Sequence, residues 1–343
     1  MLFPDPSLTA SLYCAGHLDS LVFAVVRPVW SELRAGGAPA LGNLWFVRYG
    51  RGGEHLKLRF HGSAEQSATF ASLLVPAAAG FFSSLAPTPE TASGGERWRR
   101  TAPIDLQDRV VGGHPDRQLL WTDYSRSPIS LGGEPFLLDD SYVALLTCCL
   151  ARGAEIVLDV LEPDPTGAFS HQQRLSALLR SLAAATAALS FSPPRRASYF
   201  RYHRDVLLRF LLARSEDPFA KADALLTRFA DHAQRDPLRA LAAAASAPWR
   251  LGNAATGGEG PEASWCRTLV RLHDYTVLLC RDPDYHLDPF APEPELAVLF
   301  KALHGLANHL GVSQLDEALA HHLLLQLSAP DADGIGRVVL LPP

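Results

Sequence analysis

Residues 43–62 read NLWFVRYGRGGEHLKLRFHG, and this stretch decides the fold class. Leu44, Phe46 and Arg48 alternate with Trp45, Val47 and Tyr49. Gly50-Arg51-Gly52-Gly53 then breaks the run. After it, His55, Lys57, Arg59 and His61 alternate with Leu56, Leu58 and Phe60. Period-two alternation on both sides of a glycine cluster predicts a β-hairpin. Its second strand has one apolar and one basic face. Two readings of the basic face stand. It is the wet side of an antiparallel strand, or it is an anion site, because cations about 6–7 Å apart along a strand repel one another unless something negative lies among them.

Outward from the hairpin, residues 8–14 predict a strand and 18–35 a helix that Pro28 should kink. Residues 64–86 are helical in pattern, with Pro76 and Gly80 as weak points, and 117–124 are strand-like. Between them, PTPETASGGERWRRTAP is a long loop. Helical spacing then dominates, over 140–152, 169–190, 203–214, 218–232, 235–245, 262–280, 293–310 and 314–328. Ser313 with Asp316 resembles a capping box, and Gly311 sits where a helix C′ residue should. The terminal RVVLLPP reads as a last strand. Strands first and helices after predict an α+β fold rather than alternating βαβ units. The chain reads as a single domain over 1–343, β-rich over 1–135 and mainly helical over 136–343.

Composition narrows the classes. The 343 residues are 48% hydrophobic and 20% charged, enough for a large core. Lys and Arg number 31 against 36 Asp and Glu, a net charge of −5, which argues against general nucleic-acid binding. The five cysteines, Cys14, Cys148, Cys149, Cys266 and Cys280, form no CxxC pair and predict buried, reduced thiols. No secretory n-region opens the chain, and no run reaches the roughly 18–20 apolar residues of a membrane span, so a cytoplasmic protein without a membrane partner is expected. No P-loop, GxSxG elbow, HExxH or dinucleotide fingerprint is present. His321 and His322 are adjacent on a helix and face different ways, so they do not make a metal pair. Neither a metal nor a cofactor is expected.

WFVRYGRGGEHLKLRFHG resembles the "HLRLR" segment of the C-terminal, glutamate-eliminating domain of class I lanthipeptide dehydratases, a family that includes stand-alone proteins of thiopeptide biosynthesis. Two further stretches match in order. Tyr124 to Gly133, YSRSPISLGG, resembles the family's "YxPExxRYGG", followed by a helix opening at Asp140-Ser141. His304 and Asn308, at i and i+4, resemble its "HMxxNR". The matches extend over roughly residues 43–311.

The departures bear on activity. In the family, the Glu and Arg of "ExxRYGG" and the Arg residues of "HLRLR" serve to bind and expel a side-chain glutamate. Here Ser127 stands for that Glu, Ser130 for that Arg, Leu131 for the motif Tyr, and Lys57 for the first Arg of "HLRLR". A serine supplies no charge and a lysine no bidentate fork. Such a dismantled eliminase resembles the thiopeptide pyridine synthases. The resemblance then implies a cofactor-free, formal [4+2] aza-cycloaddition between two dehydroalanines of a ribosomally made, leader-bearing precursor peptide. Water is lost and the leader leaves, closing a pyridine-centred macrocycle. A glutamate-eliminating subunit and a non-catalytic leader-binding scaffold are the alternatives.

Such a reaction asks for a broad apolar cleft with a few proton-moving groups. The candidates are His304, Tyr275, Tyr285 and Tyr124 for catalysis, and Arg48, His55, Lys57, Arg59 and Asn308 for substrate binding. His304 and Tyr275 also read as a hydrogen-bonded core histidine and a core aromatic. The expected partner is the precursor peptide, with a homodimer as a possible assembly and no nucleic acid.

Overall fold

The computed structural model describes residues 7–36, 44–49, 54–85, 116–122, 139–160, 170–213, 215–251, 258–282, 285 and 293–328. Tyr124, the Ser127–Gly133 motif, the glycines of the hairpin turn, the loop after residue 86 and the terminal RVVLLPP lie outside them. The chain divides into two compact units, Met1–Ser170 and His171–Pro343.

The first unit is built on four antiparallel strands, β1 (Ser7–Tyr13), β2 (Leu44–Tyr49), β3 (His55–His61) and β4 (Gln118–Thr122), in the order β2-β3-β1-β4. The expected hairpin pairs β2 with β3, Leu44 opposite Phe60 and Tyr49 opposite His55. One side of the sheet gathers Ala10, Leu12, Leu44, Phe46, Leu56, Leu58 and Phe60, all buried. Helix α1 (Leu18–Leu21), a π-helical stretch (Val22–Val26) and α2 (Arg27–Ala35) form one continuous rod. The widening has a local cause. Pro28 has no N–H to give to Ala24, and just before it the Arg27 N–H reaches back five residues to the Val22 carbonyl. The predicted kink is therefore a π-turn.

Helix α3 (Ala64–Ser84) opens on a capping box, in which Ser63 Oγ accepts from the Gln66 N–H and Gln66 Oε1 accepts from the Ser63 N–H. Gly62 precedes it because a Cβ there would lie 2.7 Å from the Phe60 ring. Phe70 of α3 stacks on Phe60, with ring centroids 4.8 Å apart, and meets Trp121 edge-on at 6.3 Å. Helix α4 (Asp140–Val160) packs against β2, and Asp139 Oδ1 caps it by accepting from the Tyr142 N–H. By length and composition α3 and α4 are both apolar enough to cross a membrane, a property that counting unbroken apolar runs did not show. Most of α4 is buried, as in a core helix.

The second unit is helical throughout its described residues: α5 (His171–Ala188), α6 (Pro193–Leu212), α7 (Pro218–Ala233), α8 (Asp236–Ala245), α9 (Pro248–Leu251), α10 (Pro261–Leu279), α11 (Pro294–Leu310) and α12 (Gln314–Ser328). Helices α6 and α12 pack along each other and share a core of Tyr199, Phe200, Leu207, Ala320 and Leu324. Helix α6 starts ten residues before the periodic pattern predicts. Pro193 and Pro194 occupy its first turn, where a missing N–H costs nothing. The α+β fold expected from the sequence is the one observed, with the strands among the described residues all in the first unit.

Candidate functional site

The basic side of the hairpin is neither wet nor as broad as the sequence suggests. Register places Lys57 opposite Val47, Arg59 opposite Trp45 and His55 opposite Tyr49, with Thr9, Ser11 and Tyr13 of β1 on the same side. Arg48 lies opposite Leu56, on the other, apolar side. There it is buried and paired with Asp19 of α1 at 2.7 Å. Arg48 therefore stands apart from the row that His55, Lys57, Arg59 and His61 form. Position counting across the turn does not tell on which face Arg48 falls relative to them; only pairing register decides.

His55 and Lys57 are buried, and His55, Lys57 and Arg59 each have an aromatic partner. The Lys57 ammonium sits 4.5 Å from the Tyr49 ring centroid and the Arg59 guanidinium 5.0 Å from that of Trp45. His55 stacks between Tyr13 (4.5 Å) and Tyr49 (5.4 Å). Aromatic faces attract cations, which eases the repulsion of like charges along one strand face.

In the second unit His304 acquires a partner that the sequence did not reveal. Its Nδ1–H donates to Glu317 Oε2 at 2.8 Å. The turn between α11 and α12 sets this distance. Gly311 has φ 69°, and a Schellman motif closes α11, with Val312 N–H on the Ala307 carbonyl and Gly311 N–H on that of Asn308. Arg174 of α5 donates to the carbonyls of Leu310 and Gly311, at 2.7 and 3.2 Å. Ser313 Oγ then accepts from the Asp316 N–H and starts α12 as its capping residue. Glu317 lies one turn further on, buried.

Burial lowers the proton affinity of His304, but the Glu317 carboxylate and its hydrogen bond outweigh burial, and the pKa is raised. With Nδ1 held, Nε2 is the nitrogen left to take or give a proton, and 20% of the side chain is exposed to solvent. The ring stacks on Phe300, one turn earlier, at 5.4 Å and 4° between planes. Phe300 also touches His203 edge-on (5.3 Å) and Phe210 (6.3 Å).

Around this pair lies a group of buried bases. His203 Nε2–H donates to the Leu296 carbonyl at 3.1 Å, and burial lowers its pKa to about 3. His321, 5.2 Å from His203 between ring centroids, is fully buried and held well below the ordinary value by burial and by its basic neighbours. His322 accepts from Arg204 at 3.4 Å and is lowered to about 4, first by burial and then by that guanidinium. Burial raises the Tyr199 hydroxyl well above its usual range, and Glu317 adds to the effect. Lys301, three residues before His304, is 4% exposed with no hydrogen-bond partner for its ammonium among the described residues, and burial lowers it to about 8. No group of three metal-ligating side chains occurs among the described residues.

The remaining candidates are distributed. Asn308 lies one turn beyond His304 on α11, half-buried. Tyr275 is half-buried on α10. Tyr285 follows α10, its N–H on the Asp282 carbonyl, beside an open hollow of about 680 Å³ lined with Leu278, Leu279, Arg281 and Asp282. Sequence reasoning missed Glu317, Phe300, Phe210 and Lys301. Of these, only Phe300 and Lys301, four and three residues before His304, were within reach of a helical-periodicity argument.

Two solved structures resemble the chain. The pyridine synthase TbtD from thiomuracin biosynthesis matches with a TM-score of 0.59 at 19% identity, covering 96% of this chain and 99% of that one. TsrL matches with a TM-score of 0.52 at 14% identity, covering 98% of each. At such identities the likeness is one of fold. Comparison with curated proteins gives no match. The family model described as "Lantibiotic biosynthesis dehydratase C-term" matches residues 8–328, a span that holds the sheet, its basic strand and the His304–Glu317 pair. With nearly its whole length matched, the chain belongs to the lantibiotic biosynthesis dehydratase C-terminal family.

Proposed function

We propose that this protein is a pyridine synthase acting on a leader-bearing peptide with two dehydroalanines. The observation that carries the reading is the His304–Glu317 pair, a proton-moving histidine with one nitrogen fixed, in a setting rich in rings. The reaction needs one amide proton moved from nitrogen to its carbonyl oxygen, which makes a 2-azadiene. Two carbon–carbon bonds then form with the second dehydroalanine. Loss of water, and of the leader as its amide, leaves the aromatic ring.

His304 Nε2 takes the amide proton and returns one to oxygen. Glu317 holds the tautomer and stabilises the imidazolium in between, a division of labour worth roughly 10²–10⁴-fold in rate. Folding one flexible peptide so that its two alkenes meet accounts for much of the remaining barrier, and effects of this kind reach about 7–11 kcal/mol. Asn308 and the half-exposed edge of α11 hold the peptide backbone near His304.

A second reading has its own support. Three cations on one strand face suit a carboxylate, as a glutamate-eliminating subunit requires. Mass spectrometry separates the two. The protein alone, given a leader-bearing, azole-containing peptide with two dehydroalanines, is expected to release leader amide and a core lighter by that amide and one water. An unchanged peptide, with glutamate released from a glutamylated analogue, overturns the synthase in favour of the eliminase. No change in either substrate, with the leader bound, leaves a scaffold.

A further inference from the structure

Lys301 is a buried cation on the helix of His304, and the reaction described above leaves it unused. The half-buried residues of α11, among those described, are Phe300, His304, Gly305 and Asn308, which form one strip along the helix. At 3.6 residues per turn, Lys301 projects within this strip, about 20° from Asn308 and about 40° from Gly305. It is nevertheless only 4% exposed, and its ammonium has no hydrogen-bond partner among the described residues. Burial alone lowers its pKa, with no neighbouring carboxylate to counter it among them. A charged donor left unmade costs stability, and few buried polar groups in native proteins go unpaired. An ammonium carries three donors and no acceptor, so the partner it calls for is an oxygen.

We propose that Lys301 donates to the carbonyl oxygen of the amide that His304 deprotonates, and is a second catalytic residue of this site. This rests on the synthase reading above. Residues at i and i+3 on a helix lie about 5–6 Å apart at Cβ. The N–H and C=O of a trans amide point opposite ways. An amide laid along the strip therefore turns its N–H to His304 Nε2 and its oxygen toward Lys301. The four-carbon lysine stem is flexible. A turn of it brings the ammonium out between Asn308 and Gly305, which has no side chain to obstruct it. Negative charge builds on the oxygen between the loss of the amide proton to His304 and its return. Lys301 meets that charge with a hydrogen bond, and its own protons stay on nitrogen. A donor aimed where charge develops binds the transition state more tightly than the ground state.

The chain has three lysines, Lys57, Lys221 and Lys301, so each gives a separable NMR signal in protein labelled with carbon-13 at lysine Cε. A leader-bearing peptide with a single dehydroalanine cannot cyclise. It should move the Lys301 signal and leave that of the exposed Lys221 in place. On the bis-dehydroalanine peptide, Lys301→Met should lower kcat about 10²–10³-fold. Its KM should stay within about threefold of the wild type, and its melting temperature should be no lower. A kcat close to the wild type, or a Lys301 signal that the peptide does not move, overturns the role. A wild type that leaves the bis-dehydroalanine peptide unchanged overturns the synthase reading, and this role with it. A wild type that turns over beside an equally active Lys301→Met overturns the role alone.

Discussion

His304 is held by one hydrogen bond, and that bond decides at which pH it works. Burial favours the neutral ring and Glu317 favours the charged one, with Glu317 the stronger. Replacing Glu317 with Gln leaves burial alone, so the pH midpoint of turnover should move to lower pH. This holds whether the neutral or the protonated ring is the active form. His304→Ala should cost roughly 10²–10⁴-fold in rate. A pH–rate profile of both variants on the bis-dehydroalanine peptide checks this, and an unmoved midpoint in Glu317→Gln would remove His304 from the titrating step. Lys301 is the opposite case, a buried ammonium with no hydrogen-bond partner among the described residues. Its pKa falls from 10.5 to about 8 through burial. The folded state then binds fewer protons than the unfolded one between those values, so its cost is fully present below pH 8 and is relieved as pH rises. Lys301→Met should stabilise the fold at pH 7 by on the order of 3 kcal/mol, and by less at pH 9.5. Denaturant titrations at the two pH values measure the difference.

At the scale of elements, the turn between α11 and α12 is the device that makes the pair. Gly311 occupies the left-handed region at φ 69°, which a side chain enters at a cost of about 1–2 kcal/mol. Gly311→Ala should lower stability by about that amount and lower the NMR-observed pKa of His304, because the turn holds His304 against Glu317. An unchanged His304 titration would show that packing alone sets the distance. The elements themselves were largely legible. Gly311 and Ser313 announced the turn by residue type alone, and each helix from 218 onward except the four-residue α9 carried its own periodicity. The hairpin was legible as well, but its faces were not. Alternation within each strand is local, whereas the side on which Arg48 falls depends on register across a turn. That register puts Arg48 beside Asp19, 29 residues earlier in the chain. The start of α6 was missed because its first turn is Pro193-Pro194-Arg195-Arg196, which has no apolar period to detect.

For the molecule as a whole, the second unit hides several bases in its core, and acid should find them. His203 at about 3, His322 at about 4 and His321 well below the usual value all refuse protons that the unfolded chain accepts below about pH 6.5. Stability is therefore lost as pH falls through that window, at up to about 1.4 kcal/mol per pH unit for each histidine. His304 runs the other way. Its contribution is complete below the unfolded value and fades as pH rises through its raised pKa. Calorimetry between pH 7 and 4 should show a steep fall in the melting temperature, and a flat profile would mean that these histidines titrate normally. The sequence by itself determined the α+β class, the order of elements, the basic strand and the helix that carries His304, because periodicity, caps and turn residues act over a few residues. Tertiary structure alone decided that Glu317 orients His304, that Phe210 and Phe300 extend its ring row, and that the strand cations lie on aromatic faces. Those contacts join elements by packing and register, and no local pattern encodes a distance between helices.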